Sequence, residues 1–267
     1  MKKSIGIFDS GVGGLTVFKA VKDALPDQNI IYFGDTARVP YGSKSENTIV
    51  NYSLQNAAFL LQQNIKLLIV ACNTSSAFAL DKLREQFEIP IIGVIEPGAK
   101  TALSVTKNNR IGVIGTEGTI KSLAYQKELR KQNPDCKVFA KPTPLLVPLV
   151  EENWIDHSVT KQVIAEYLDE LLRLDIDTLI MGCTHYPVLK DMIKSVVGDS
   201  IELVDSAEAV ANVVNEKYSG KNSILKGEYN FFVSDNPEKF KILGERIIQS
   251  ELENVHKVFF TESWIQK

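Results

Sequence analysis

What this chain has little of narrows the field first. Its 267 residues include three cysteines, three histidines and two tryptophans. Cys72, Cys136 and Cys183 cannot all pair and form no C-x-x-C, so a structural disulfide or a zinc site is not expected. The histidines are scattered and lack the helical H-x-x-x-H spacing of a metal-binding helix. No apolar run approaches the roughly 20 residues of a membrane-spanning helix. Behind two N-terminal lysines the apolar run ends after four residues, short of the roughly 7–15 of a secretory signal, so the expected location is the cytoplasm. Excess positive charge is also missing. Lys and Arg number 30 against 33 Asp and Glu, for a net charge of −3 and a pI near 5.8, which offers nucleic acid no electrostatic footprint. The densest basic group, Lys127–Lys131, reads as a solvated helix face.

What is present is an ordinary globular balance, 44% apolar and 24% charged. Short, nearly all-apolar runs predict strands at Ser4–Phe8, Ile30–Phe33, Leu67–Val70, Ile91–Ile95, Arg110–Ile114, Lys137–Ala140, Thr178–Met181 and Ile201–Val204. Segments such as Ile49–Gln62 and Ser158–Leu174 repeat apolar residues at helical spacing. Strand–helix–strand alternation implies parallel sheets with right-handed crossovers, an α/β fold. A weak repeat divides it. "SIGIFDSGVGG" and "RIGVIGTEGT" each end a strand in a Gly-rich, hydroxyl-bearing turn, and a later strand in each half ends in cysteine, "LLIVACNT" and "TLIMGCTH". Two similar parallel-sheet domains related by pseudo-symmetry are therefore expected, with the active site in the cleft between them. Residues 1–96 with 208–267 form the first and 97–207 the second. The boundary is placed near Glu96-Pro97-Gly98, and the tail ("SAEAVANVVNEKY", "YNFFVS", "HKVFF") is taken to pack back on the first half.

The chemistry centres on Cys72 and Cys183. A lone strand cysteine is more often a small core hydrophobe than a reagent. Two, each one small residue past an apolar run and followed by hydroxyl or amide groups, reverse that weighting; Cys136 has no such context. A strand-to-helix turn puts a thiol near a helix N-terminus, which favours thiolate. Asn73, Thr74, Ser75 or Thr184 can cap such a helix, or leave backbone N–H groups for an anion. His185, two residues past Cys183, can exchange protons with it, and Pro187 suits the turn that follows. "IFDSGVGGLTV" lacks the spacing of a phosphate loop. Asp9 at the strand end speaks against phosphate and suits an ammonium group, a base toward a thiol, or a helix cap. Pro40-Tyr41-Gly42 reads as a turn whose amides can take a carboxylate, while Thr116, Thr119 and Ser122 supply hydroxyls in the second half. Glu151 and Glu152 read first as paired surface acids.

Taken together, "FDSGVGGLTV", "DTARVPYG", "ACNTSSA", "GVIEPG", "GTEGT", "PLVE", "GCTHYPVL" and "VDSAEAVA" resemble the glutamate racemases of the aspartate/glutamate racemase superfamily, from Ile5 to about Ala211. Ser75 stands where that family often has alanine, and the N-terminus is similar to its compact bacterial forms. The resemblance implies cofactor-independent interconversion of L- and D-glutamate for peptidoglycan. Cys72 and Cys183 are then the acid/base pair, assisted by Asp9, His185 and Glu151. Asp9, Ser10, Pro40, Tyr41, Gly42, Asn73, Thr74, Thr116, Thr119, Thr184 and His185 hold the substrate. It further implies a homodimer, with neither membrane nor nucleic-acid substrate. Rival readings are a racemase or isomerase of aspartate, hydantoin or maleate, a Cys183–His185 hydrolase, and a two-lobed protein that only binds acidic ligands.

Overall fold

A computed structural model describes residues 3–219 and 226–259. Its strands, in chain order, are β1 (Ser4–Asp9), β2 (Ile30–Gly34), β3 (Ile65–Val70), β4 (Ile91–Gly93), β5 (Arg110–Gly115), β6 (Lys137–Pro142), β7 (Thr178–Gly182), β8 (Glu202–Asp205), β9 (Tyr229–Val233) and β10 (Val255–Lys257). They form two sheets, β10-β9-β2-β1-β3-β4 and β6-β5-β7-β8, and every pairing is parallel. The run β2-β1-β3-β4 in one sheet has the same order as β6-β5-β7-β8 in the other. That shared order is the structural form of the repeat read in the sequence.

The central strands β1, β2 and β7 are buried on both sides, which is why they read as unbroken apolar runs rather than alternating ones. Phe8, Phe33, Leu68 and Val70 pack on one face of the first sheet, and Ile114, Leu179 and Met181 on one face of the second. The facing sides share a single apolar cluster, running from Ile5 and Ile7 through Ala99 and Val210 to Ile111 and Ile180. Helices Ile95–Val105 and Ser206–Tyr218 lie in that cluster and pack against each other. The chain therefore passes between sheets twice, once in each of these two helical regions. After the second passage, β9 pairs with β2 and β10 with β9, extending the first sheet.

Most strands run one or two residues past the ends read from the sequence, because polar or glycine residues such as Asp9, Gly34, Gly115 and Gly182 still pair in the sheets. The difference runs the other way at Ile91–Ile95. β4 stops at Gly93, and Ile95 opens a helix in whose first turn Pro97, with no N–H to donate, fits without loss. Glu96-Pro97-Gly98, near which the domain boundary is expected, is thus helical. The "HKVFF" run supplies β10 through Val255–Lys257; its last residue, Phe260, lies outside the described residues.

Candidate active site

The C-terminal ends of the parallel strands from both sheets converge on one small cavity of about 20 Å³. Ser10 reaches it from the end of β1, and Val39, Pro40, Tyr41 and Gly42 from the segment after β2. Cys72, Asn73 and Thr74 follow β3, Thr116 follows β5, Val147 follows β6, and Cys183, Thr184 and His185 follow β7. In an order such as 2-1-3-4 the crossovers leave in opposite directions on either side of the first strand, opening a crevice there. Asp9 ends β1 and Cys72 follows β3 at that crevice in the first sheet. Thr116 after β5 and Cys183 after β7 occupy the corresponding crevice in the second. Equivalent strands thus deliver one thiol from each lobe, and both are buried and unbridged.

Asp9 lies directly behind this surface, fully buried. Gly11 and Gly14 donate backbone N–H bonds to its Oδ2 at 3.1 and 3.0 Å, and Thr184 donates from the opposite lobe to Oδ1 at 3.2 Å. The glycine loop that resembles a phosphate cradle therefore spends its amides on a carboxylate of its own. The next helix, Leu15–Ala24, starts from Gly14 without a side-chain cap, so Asp9 organises the loop instead of capping. Glycine is needed at position 13 for room: a Cβ there would lie 2.5 Å from His185 Nδ1. Burial raises the Asp9 pKa above its ordinary 3.8, although the His185 charge and the three hydrogen bonds oppose it.

Cys72 is the N-cap of the short helix Asn73–Phe78. Burial pushes its thiol up to about 12, the Asp9 charge adds to this, and hydrogen bonds from the Ser75 backbone and side chain work against it. The expectation that a helix start favours thiolate at Cys72 thus meets a larger opposing effect. On the other side, Cys183 Sγ is 3.8 Å from His185 Nδ1, and His185 Nε2 is 2.8 Å from Glu151 Oε1. Burial disfavours charge on His185, but its hydrogen bonds to Cys183 and Glu151, together with their charges, hold its pKa well above 6.5. Glu151 is depressed in turn, with burial outweighed by the His185 bond and charge. Glu151 and Glu152 are not a surface pair, since Glu152 turns away to Lys239 at 3.1 Å.

The remaining predicted residues separate into two groups. Ser10, Pro40, Tyr41, Gly42, Asn73, Thr74, Thr116, Thr184 and His185 all line the cavity; Thr119 stands behind it. Thr74 Oγ1 meets Thr116 Oγ1 at 2.9 Å and Thr119 Oγ1 at 3.2 Å, a hydroxyl cluster spanning the lobes. Thr116 also caps its own helix by accepting the Thr119 N–H. Thr184 is not the cap of the turn that follows, which starts from His185 without a side-chain hydrogen bond, and its hydroxyl donates to Asp9. Tyr41 presents ring and backbone only: its hydroxyl donates to buried Asp35 and accepts from Asn56 Nδ2 at 3.0 Å. Pro187 opens the short 3-10 turn Tyr186–Leu189 as expected. Cys136 is packed into the apolar core away from the cavity.

Sequence reasoning missed Val39 and Val147, which line the cavity, and Tyr125, whose hydroxyl donates to Asn73 Oδ1 at 2.7 Å. Val39 sits inside a quoted motif and Val147 just before another, but neither carries chemistry to mark it. Tyr125 heads an amphipathic, charged helix, Ala124–Gln132, where a tyrosine reads as ordinary packing.

Two buried thiols, each near an ionisable side chain, thus line one cleft between two matching parallel sheets. The Asp/Glu/Hydantoin racemase model matches residues 15–214, and the chain belongs to that family. It is an amino-acid racemase, an isomerase by class. A glutamate racemase of Geobacter metallireducens is 50% identical over 260 residues, 96% of each chain. Among solved structures, the glutamate racemase isoform RacE1 of Bacillus anthracis superposes with a TM-score of 0.91 at 39% identity, covering 96% of this chain and 97% of that one. The Francisella tularensis glutamate racemase in complex with D-glutamate gives a TM-score of 0.89, also at 39% identity and with the same coverage.

Proposed function

We propose that the protein interconverts L- and D-glutamate without a cofactor, by proton transfer between two cysteines on opposite faces of the substrate Cα. The reading is carried by one observation: Cys72 and Cys183 stand at equivalent strand ends in opposite lobes and line the same cavity. The substrate class rests on the glutamate racemases to which the chain is similar.

Racemisation takes a proton from one face of Cα and returns one to the other. A single rigid base reaches only one face, whereas a thiolate and a thiol in opposition reach both. In one direction a thiolate removes the Cα proton and becomes a thiol. The opposite thiol then gives its proton to the other face and is left as thiolate, so charge and protons balance and the pair is poised for the reverse. Asp9 assists the Cys72 side. His185, paired with Glu151, serves the Cys183 side, where an imidazolium in contact with sulfur gives or takes a proton. Ser10, the Pro40-Tyr41-Gly42 backbone, Asn73, Thr74, Thr116, Thr119 and Thr184 hold the carboxylates and the ammonium group. The carbanion-like intermediate is served by the same hydrogen-bond donors in a site shielded from water.

The biological use is D-glutamate for peptidoglycan, in the cytoplasm, by a homodimer. The lobes divide as 1–96 with 208–267, and 97–207. Cys72→Ser and Cys183→Ser are each expected to lose reversible racemisation, followed by circular dichroism of L- and D-glutamate, with rates down by about 10²–10⁴-fold. The wild-type reaction in D₂O carries solvent deuterium into Cα of the product. Full turnover by either serine variant, or product free of deuterium, sinks the two-thiol reading.

A further inference from the structure

Asn73 follows Cys72 and lines the cavity, 2% exposed. An amide side chain has one accepting and one donating end, so which end faces a ligand decides what it can hold. Here Oδ1 is turned away, accepting the Tyr125 hydroxyl at 2.7 Å. Among the described residues, Nδ2 has no hydrogen-bond partner despite its burial. The Ser206 side chain is a second neighbour of the tyrosine oxygen and acts on it as a donor. A phenol has a single proton to give. With that proton placed on Asn73, only the oxygen end of the amide can face Tyr125.

The ring is held as firmly as the hydroxyl. Tyr125 is 1% exposed. A Cβ at Gly182, the residue before Cys183, would come within 3.1 Å of its Cε2, and a Cβ at Gly98 within 3.4 Å of its hydroxyl. One tyrosine from the second lobe thus rests against the residue preceding one thiol and hydrogen-bonds the residue following the other.

We propose that Tyr125 is a positioning residue, held by Ser206, that locks the Asn73 amide with Nδ2 toward the cavity and so makes it a dedicated donor for a substrate carboxylate oxygen. Without the phenol proton Oδ1 is left buried and unpaired, so the amide flips to carry it into the cavity, where a carbonyl oxygen repels a carboxylate. The cost falls on substrate binding, since the thiols and their partners are untouched. This inference rests on the glutamate racemase reading.

The test is a double-mutant cycle on glutamate racemisation with Tyr125→Phe, Asn73→Ala and the two combined, each checked for folding by its thermal transition. Tyr125→Phe keeps the ring and is expected to raise KM about tenfold with kcat within about twofold, as loss of a ground-state hydrogen bond does. Because Tyr125 acts through Asn73, the combined variant is expected to be no worse than Asn73→Ala alone. An unchanged KM in Tyr125→Phe, a loss confined to kcat, or penalties that multiply in the combined variant would each overturn the assignment. If Tyr125→Phe does not fold, Ser206→Ala carries the test: KM is expected to rise about threefold with kcat unchanged, and an unaltered KM overturns it. A wild-type protein that fails to racemise glutamate would instead sink the parent reading, so the two failures are distinct.

Discussion

At Cys72 a helix start and a buried carboxylate pull in opposite directions, and magnitudes decide between them. A helix N-terminus supplies about 0.3–1 kcal/mol to a nearby negative charge, less than the roughly 1.4 kcal/mol of one pH unit. Burial beside Asp9 moves the thiol from 9.0 to about 12, well beyond what the dipole can recover. In the closed site Cys72 is therefore a proton donor until something displaces the burial or the charge. In a variant where Cys136 and Cys183 are serine, iodoacetamide alkylation of Cys72 is expected to be slow at neutral pH. Its rate should climb about tenfold per pH unit through pH 10, following the thiolate fraction. A plateau near pH 9, read by mass spectrometry, would contradict the burial argument. The sequence made both cysteines legible because each ends an apolar run before hydroxyls, and His185 because it is one of three histidines. It could not show that Ser75 bonds Cys72 or that Tyr125 bonds Asn73, since only the fold brings residues 73 and 125 together.

At the scale of elements, the junction of β8 with helix Ser206–Tyr218 carries a measurable strain in charge. Asp205 accepts the Ala207 N–H at 2.8 Å as the helix N-cap, yet burial raises its pKa from 3.8 to about 6. The folded protein holds this proton more tightly than the unfolded chain. The stability it brings is whole below pH 4 and is lost as pH rises through 6. Asp205→Asn keeps a capping oxygen and removes the ionisation, at little capping cost. It is expected to stabilise the protein at pH 7 by about 3 kcal/mol and hardly at all at pH 4. Denaturant midpoints that coincide at pH 7 would refute this. Elements of this kind were largely readable in advance: the eight predicted strands all form, because strands covered on both faces leave unbroken apolar runs. Their ends were less readable. Ile95 is as apolar as Ile91, and only the packing of the following helix makes one helical and the other extended. The edge strand β10 is short and half-exposed, so its sequence carries little pattern.

Across the whole molecule, the lobes are held closed by contacts between them. Asp9 meets Thr184, Thr74 meets Thr116, and Asn73 meets Tyr125. The cavity they enclose is small, about 20 Å³, and a parting of the lobes would widen it for substrate. A ligand that binds the folded form alone stabilises it by about 2.7 kcal/mol at a hundredfold excess over Kd. Saturating D-glutamate should therefore raise the thermal midpoint by roughly 5 °C or more. Cys183→Ser should show the same rise while failing to turn over, because the groups that grip the carboxylates remain. A midpoint indifferent to glutamate would contradict the cleft as the binding site. The two passages of the chain between sheets bear on how that parting happens. A single connection would act as a swivel, leaving one lobe free to twist about it and the thiols free to slide out of line. Two, packed side by side as helices Ile95–Val105 and Ser206–Tyr218, act as the paired pins of a door. Such a pair resists twisting of one lobe against the other and so keeps the two sulfur atoms at one cavity.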